Sequence, residues 1–185
     1  MFSRRKSPSA DGHEVVIRMP FRAATRTLVH AIVRPLDSAL QAEGLGRVAD
    51  HRTEPGRRGD PREATLTLRL SDGRRATLVR VAAILDDLGA PCGSAATVAA
   101  TGLRHVFGRT EGLGLSLPVA RLTEDAIAAC ADALGTAGRL VSGPADGVGP
   151  MLCFYGDTYL GMETKLLRLL ARDARLAPAT LHRLT

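Results

Sequence analysis

An α+β fold built from two tandem ferredoxin-like βαββαβ repeats is what this sequence predicts. Three observations carry the prediction. Apolar residues alternate in "HEVVIRM", "ATLTLRL" and "GLGLSLP", the period of half-buried strands. Between such stretches apolar residues recur every three or four positions, the period of a helix face turned to a core. The order of elements is then read a second time along the same chain, with short matching segments in the same sequence.

Each element has a local reason. In residues 13–21 Val15, Ile17 and Met19 point one way, as a first strand. Leu28, Ile32, Leu36 and Leu40 mark the first helix, and Gly44 ends it. Pro35 removes a backbone donor and crowds Ala31, so a kink or break is expected there. Residues 47–51 read as a short strand, and "RTEPGRRGDPRE" reads as a loop. "ATLTLRL" places Leu66, Leu68 and Leu70 inward, with Thr65, Thr67 and Arg69 outward. Leu78, Val81, Leu85 and Leu88 mark a helix stopped by Gly89 and Pro91, and residues 94–100 form the last strand of the repeat.

The second repeat opens on Leu113, Leu115 and Leu117. Thr123 is a good N-cap for a helix carrying Ile127, Cys130 and Leu134 on one side. "RLVSG" and "MLCFY" are strands, the second turning at Gly156-Asp157. Tyr159, Met162, Leu166 and Leu169 mark a helix running towards Pro178, and "TLHRL" is the last strand. "SALQAEG" matches "DALGTAG", "GRVA" matches "GRLV", and "LRLSDG" matches "CFYGDT". The predicted organisation is a basic tail at 1–12, repeat one at 13–101, a linker at 102–111 and repeat two at 112–185. The two third strands differ in one respect. Met151, Cys153 and Tyr155 make one face of the second one apolar and Leu152 and Phe154 the other, so it is covered on both sides, one cover being its own helices and the second the other repeat or a partner.

Composition bounds the function. The 185 residues carry a formal net charge of +6, and hydrophobic residues make up 45%, as in a globular chain. Neither a signal peptide nor an apolar run of about 18 residues is present, so a cytoplasmic protein without a membrane span is expected. Three distant cysteines without a CxxC pair suggest neither a disulfide framework nor zinc, and the five histidines lack metal-ligand spacing. No metal or cofactor is expected. GxGxxG and GxxxxGK[ST] are both missing, so no phosphate-binding loop is indicated. "RGD" at 58–60 reads as a chance match in an Arg-rich loop.

At "GRTEGLGLSL" (108–117), "GP" (149–150), "FYG" (154–156) and Met162 the chain resembles a family of uncharacterised bacterial proteins. In that family "TEGL", a strand and a helix are followed by "GP…LYFYG…M". The resemblance spans about residues 13–185 and implies no activity. More distantly, a single repeat is similar to B-type regulators of ribonuclease activity and to small toxin-immunity proteins, which implies binding to another protein.

Two candidate surfaces follow. Lys165, Arg168, Arg172 and Arg175 fall at i, i+3, i+7 and i+10, one face of a last helix that could dock an acidic protein partner. Cys92, Gly93 and Ser94, with Gly156, could line a ligand cleft in which backbone donors cradle an anion. Cys130 and Cys153 read as buried small hydrophobes. Nucleic acid is disfavoured, because an RNA-reading sheet needs aromatics on exposed strand positions and "TLTLRL" offers none. The expected function is thus a non-catalytic cytosolic protein-binding module, a bacterial regulator or immunity-type protein. The alternatives are a small-ligand sensor binding between the repeats, and an enzyme using the Cys92 thiol.

Overall fold

The computed structural model describes residues 12–55, 61–143 and 151–184. The tail at 1–11 and "RGD" at 58–60 lie outside them. The first repeat holds β1 (His13–Met19), α1 (Thr25–Leu28), α2 (Arg34–Ala42), β2 (Gly46–Pro55), β3 (Pro61–Leu70), α3 (Arg75–Asp87) and β4 (Ser94–Val98). A further strand, β5 (Arg104–Phe107), follows. The second repeat holds β6 (Glu111–Ser116), α4 (Glu124–Leu134), β7 (Gly138–Ser142), β8 (Met151–Gly156), α5 (Tyr159–Leu170) and β9 (Thr180–Leu184).

Two antiparallel sheets result, in the orders β2-β3-β1-β4-β5 and β7-β8-β6-β9. Within each repeat the second strand is followed across the sheet by the third, the first and the fourth. This is the ferredoxin-like arrangement, and it occurs twice. The strands "LTLRL" and "LCFY" occupy the same inner position, each flanked by the first and second strands of its own repeat. The likeness extends to an irregularity. In "GRVA" the register of β2 shifts between Val48 and Asp50, and in "GRLV" that of β7 shifts between Leu140 and Ser142. Both strands thus bulge at the fourth residue after starting opposite the end of the third strand, Gly46 on Leu70 and Gly138 on Gly156.

Each sheet buries one face under helices. Val15, Ile17, Met19, Leu66, Leu68 and Leu70 meet Leu28, Ile32, Leu36, Leu40, Leu78, Val81 and Leu85 in one core. Leu113, Leu115, Leu152 and Phe154 meet Cys130, Leu134, Met162 and Leu166 in another. Full burial of each such aliphatic side chain contributes about 1.5–3 kcal/mol.

Pro35 acts one turn earlier than a simple kink. Helix α1 passes into a π turn at Val29–Val33, and the Arg34 N–H donates to the Val29 carbonyl. Five-residue spacing there lets the chain continue into α2, although Pro35 has no N–H to give.

The sequence reading fails at three boundaries. The charged stretch read as a loop is largely strand, since β2 runs to Pro55 and β3 starts at Pro61. Ladder hydrogen bonds are indifferent to side-chain charge when that side chain reaches water, and Arg52 and Glu54 pair with each other there. The segment 102–111 read as a linker contains β5, which extends the first sheet beside β4. Its four residues are too few for alternation to be visible. The last helix stops at Leu170 rather than near Pro178, because Asp173 caps a separate 3₁₀ turn at Ala174–Leu176 through the Arg175 N–H.

Candidate functional site

The outward faces of the two sheets have different fates. Met151, Cys153 and Tyr155 on β8 correspond to Thr65, Thr67 and Arg69 on β3. Val141, Cys153 and Tyr155 join the core of the first repeat, with Met151 and Leu184 packed against it. The Tyr155 ring lies 5.0 Å from that of Phe21. Its hydroxyl accepts from the Arg22 N–H at 2.8 Å and donates to the Pro20 carbonyl at 3.0 Å. The Ser142 hydroxyl donates to the Arg22 carbonyl at 2.6 Å, and Arg139 donates to the Leu88 carbonyl at 2.9 Å. Strand β8 is therefore covered on both faces, and the second cover is the other repeat.

The motif "TEGL…FYG" holds this arrangement together. A Cβ on Gly112 would lie 2.8 Å from Leu184 Cβ, and one on Gly114 2.7 Å from the Met151 sulfur. Glu111 accepts from the Tyr159 N–H at the start of α5 and is paired with Arg183. The Tyr159 N–H, assisted by Arg183, holds the Glu111 carboxyl below its ordinary value against the opposing effect of burial. A depressed carboxylate stabilises the fold above its unfolded pKa and loses that contribution as pH falls through the folded value. The wild type is therefore expected to exceed Glu111→Gln in stability at neutral pH, with the gap closing below about pH 4.5. Urea midpoints between about pH 7 and about pH 3 check this, and a gap that stays constant contradicts it.

The predicted ligand cleft is only partly assembled. Cys92 is exposed and Gly93 is beside it in an open cleft of about 470 Å³, with Thr110, Glu111 and Arg183 on the other side. Two of the donors proposed for an anion are engaged within the turn. The Cys92 N–H donates to the Thr110 carbonyl, and the Ser94 N–H and hydroxyl both donate to the Pro91 carbonyl. The Cys92 thiol donates to the Gly108 carbonyl at 3.5 Å. Gly156 does not face the cleft. It is buried between Glu111 and Gly138, where its missing side chain makes room for the Ala137 carbonyl. Cys130 is fully buried, and desolvation pushes its thiol up to about 11, far from a thiolate at neutral pH.

The predicted basic stripe is dismantled by the early end of α5. Lys165 is half-buried and donates to the Leu134 carbonyl at 2.9 Å, closing the end of α4. Arg175 lies in the 3₁₀ turn and grips the Asp173 carboxylate through two nitrogens. Only Arg168 stays on the exposed face of α5, with Arg172 in the turn beyond it.

A different surface was not foreseen. The strand registers put Arg18, Val16, Thr65, Thr67, Ala95, Thr97 and Arg104 on one face of the first sheet, opposite its helices. Val16, Thr67 and Thr97 keep partial solvent access, and Arg18 and Arg104 are exposed. A groove of about 570 Å³ crosses this face, with Val16, Ala95 and Thr97 among its lining and Arg18, Glu63 and Arg104 around them. The alternation of "HEVVIRM" already turns Val16 and Arg18 outward. Arg104 was hidden because its strand was read as linker.

Among the described residues no group of three or more His, Cys, Asp or Glu is placed to hold a metal ion. Nor is any helix among them long and apolar enough to cross a membrane. No family model matches the chain, and no curated protein matches it. Among solved structures, the first two RRM domains of yeast poly(U) binding protein align over 92% of this chain and 99% of that chain. Identity is 8% and the TM-score 0.30. The fold class, α+β with two tandem ferredoxin-like repeats, rests on the two strand orders themselves.

Proposed function

We propose that this chain is a non-catalytic cytosolic protein-binding module, of the regulator or immunity type, that docks its partner on the open face of the first sheet. One observation carries the reading. On the matching face of the second sheet β7 and β8 are packed against the first repeat, whereas that of the first sheet keeps solvent access along a groove floored by small residues. The surface is five antiparallel strands wide. Its aliphatic and hydroxyl floor with a charged rim matches the usual anatomy of a protein interface.

The test is affinity capture from the cells of origin with three baits. The wild type and the Arg168→Glu/Arg172→Glu variant are expected to retain the same protein, and Arg18→Glu/Arg104→Glu to lose it. Retention by all three baits places the interface elsewhere, and loss only with Arg168 and Arg172 reversed restores the helix α5 surface.

A second reading has its own observation, the cleft between Cys92 and Arg183 at the junction of the repeats. A small-ligand sensor binding there gains about 2.7 kcal/mol of stability at 100 times its Kd. A metabolite panel that produces no thermal shift removes it.

A further inference from the structure

We infer that the groove on the first sheet takes an extended peptide segment of a partner protein, seating an acidic side chain between Arg18 and Arg104 and a basic one against Glu63. The inference deepens the protein-binding reading and rests on it. Arg18 stands opposite Ala95, Val16 opposite Thr97, and Thr97 opposite Arg104. The two arginines thus occupy diagonal corners of a patch whose middle is Val16, Ala95 and Thr97. Neighbouring strands are about 4.8 Å apart, so β1 and β5 are separated by about 10 Å. With the two-residue offset along the strands the diagonal is about 12 Å, which two long guanidinium side chains can span to meet one carboxylate with its roughly four acceptor sites.

The cations are uncommitted. On the same face Arg69 is paired with Glu14 and Arg52 with Glu54. Arg18 and Arg104 have no acidic partner within 4 Å among the described residues. Directly opposite Arg18 on β3, the Thr65 hydroxyl is buried and lacks a hydrogen-bond partner among the described residues.

The charge pattern selects peptide over single-stranded nucleic acid. Glu14, Asp50, Glu54 and Glu63 share this face with the arginines. Glu14 and Glu54 are neutralised by Arg69 and Arg52, but Asp50 and Glu63 have no cation partner among the described residues and oppose a continuous run of phosphates, whereas a peptide can match both signs in turn. No strand position on the face offers an aromatic ring for a base to stack on.

The experiment is selection from a random dodecapeptide phage library on the full chain, with a labelled oligouridine titrated in parallel. The expected consensus carries an acidic residue with a basic residue near it. Binding of the selected peptide falls about tenfold or more in Arg18→Gln/Arg104→Gln, and Glu63→Lys alters only the basic preference. Unchanged thermal midpoints verify that the variants fold, since exposed charges contribute little to stability. Enriched peptides indifferent to Arg18 and Arg104 overturn the groove while leaving a protein-binding module intact. No enrichment overturns both. Oligouridine binding that depends on the two arginines overturns the peptide in favour of nucleic acid.

Discussion

Tyr155→Ala is expected to lower the stability of the protein by about 3–5 kcal/mol, the range for deleting a buried aromatic side chain. The ring is nearly fully buried in the core of the first repeat although its strand belongs to the second. Two losses combine. The ring leaves a cavity against Phe21, and the hydroxyl leaves the Arg22 N–H and the Pro20 carbonyl without their partner. Tyr155→Phe separates them, because it keeps the ring and should cost about 1–3 kcal/mol for the abandoned polar groups alone. Urea titrations of both variants check this. A loss under about 1 kcal/mol for the alanine variant would mean that the repeats do not share a core.

Gly156→Ala should be nearly as damaging, at about 3 kcal/mol, although it adds a single methyl group. That methyl would lie 1.9 Å from the Ala137 oxygen and 2.9 Å from the Gly138 Cα. Both are backbone, so no rotamer change relieves the clash, and β7 must move away from β8. The cause is the sharp entry into β7. A 3₁₀ turn at Gly135–Ala137 delivers the chain directly across the end of β8. Thermal unfolding followed by circular dichroism reads the loss. A midpoint within about 2 °C of wild type would contradict it.

These two residues mark how much of the molecule was legible in the sequence. "MLCFYGD" is visible as a two-faced apolar strand, and alternation puts Tyr155 and Phe154 on opposite faces without saying which of them meets the helices. Which segment covers that face could not be read, because the hydrogen bonds to the Tyr155 hydroxyl come from the backbone of Pro20 and Arg22, groups that every residue carries. The twofold repeat was legible because both halves keep their periodicity and the order of their matching segments. The candidate sites were less so. Helical spacing aligned Lys165, Arg168, Arg172 and Arg175, but spacing does not reveal that Asp173 ends the helix environment between them. The turn around Cys92 has the residues of an anion cradle, yet its donors close on Pro91 and Thr110. The groove was missed for the opposite reason. Its floor is made of small, unremarked residues, and what defines it is their juxtaposition across three strands.

The central claim is that the uncovered face of the first sheet is where this protein meets its partner. A photo-crosslinking amino acid at Thr97, in the middle of that face, tests it most directly when compared with the same residue placed at Arg168 on α5. Expressed in the cells of origin, the Thr97 position should give one discrete crosslinked protein, lost when Arg18 and Arg104 are reversed to Glu. A crosslink from position 168 alone, with position 97 silent, would contradict it.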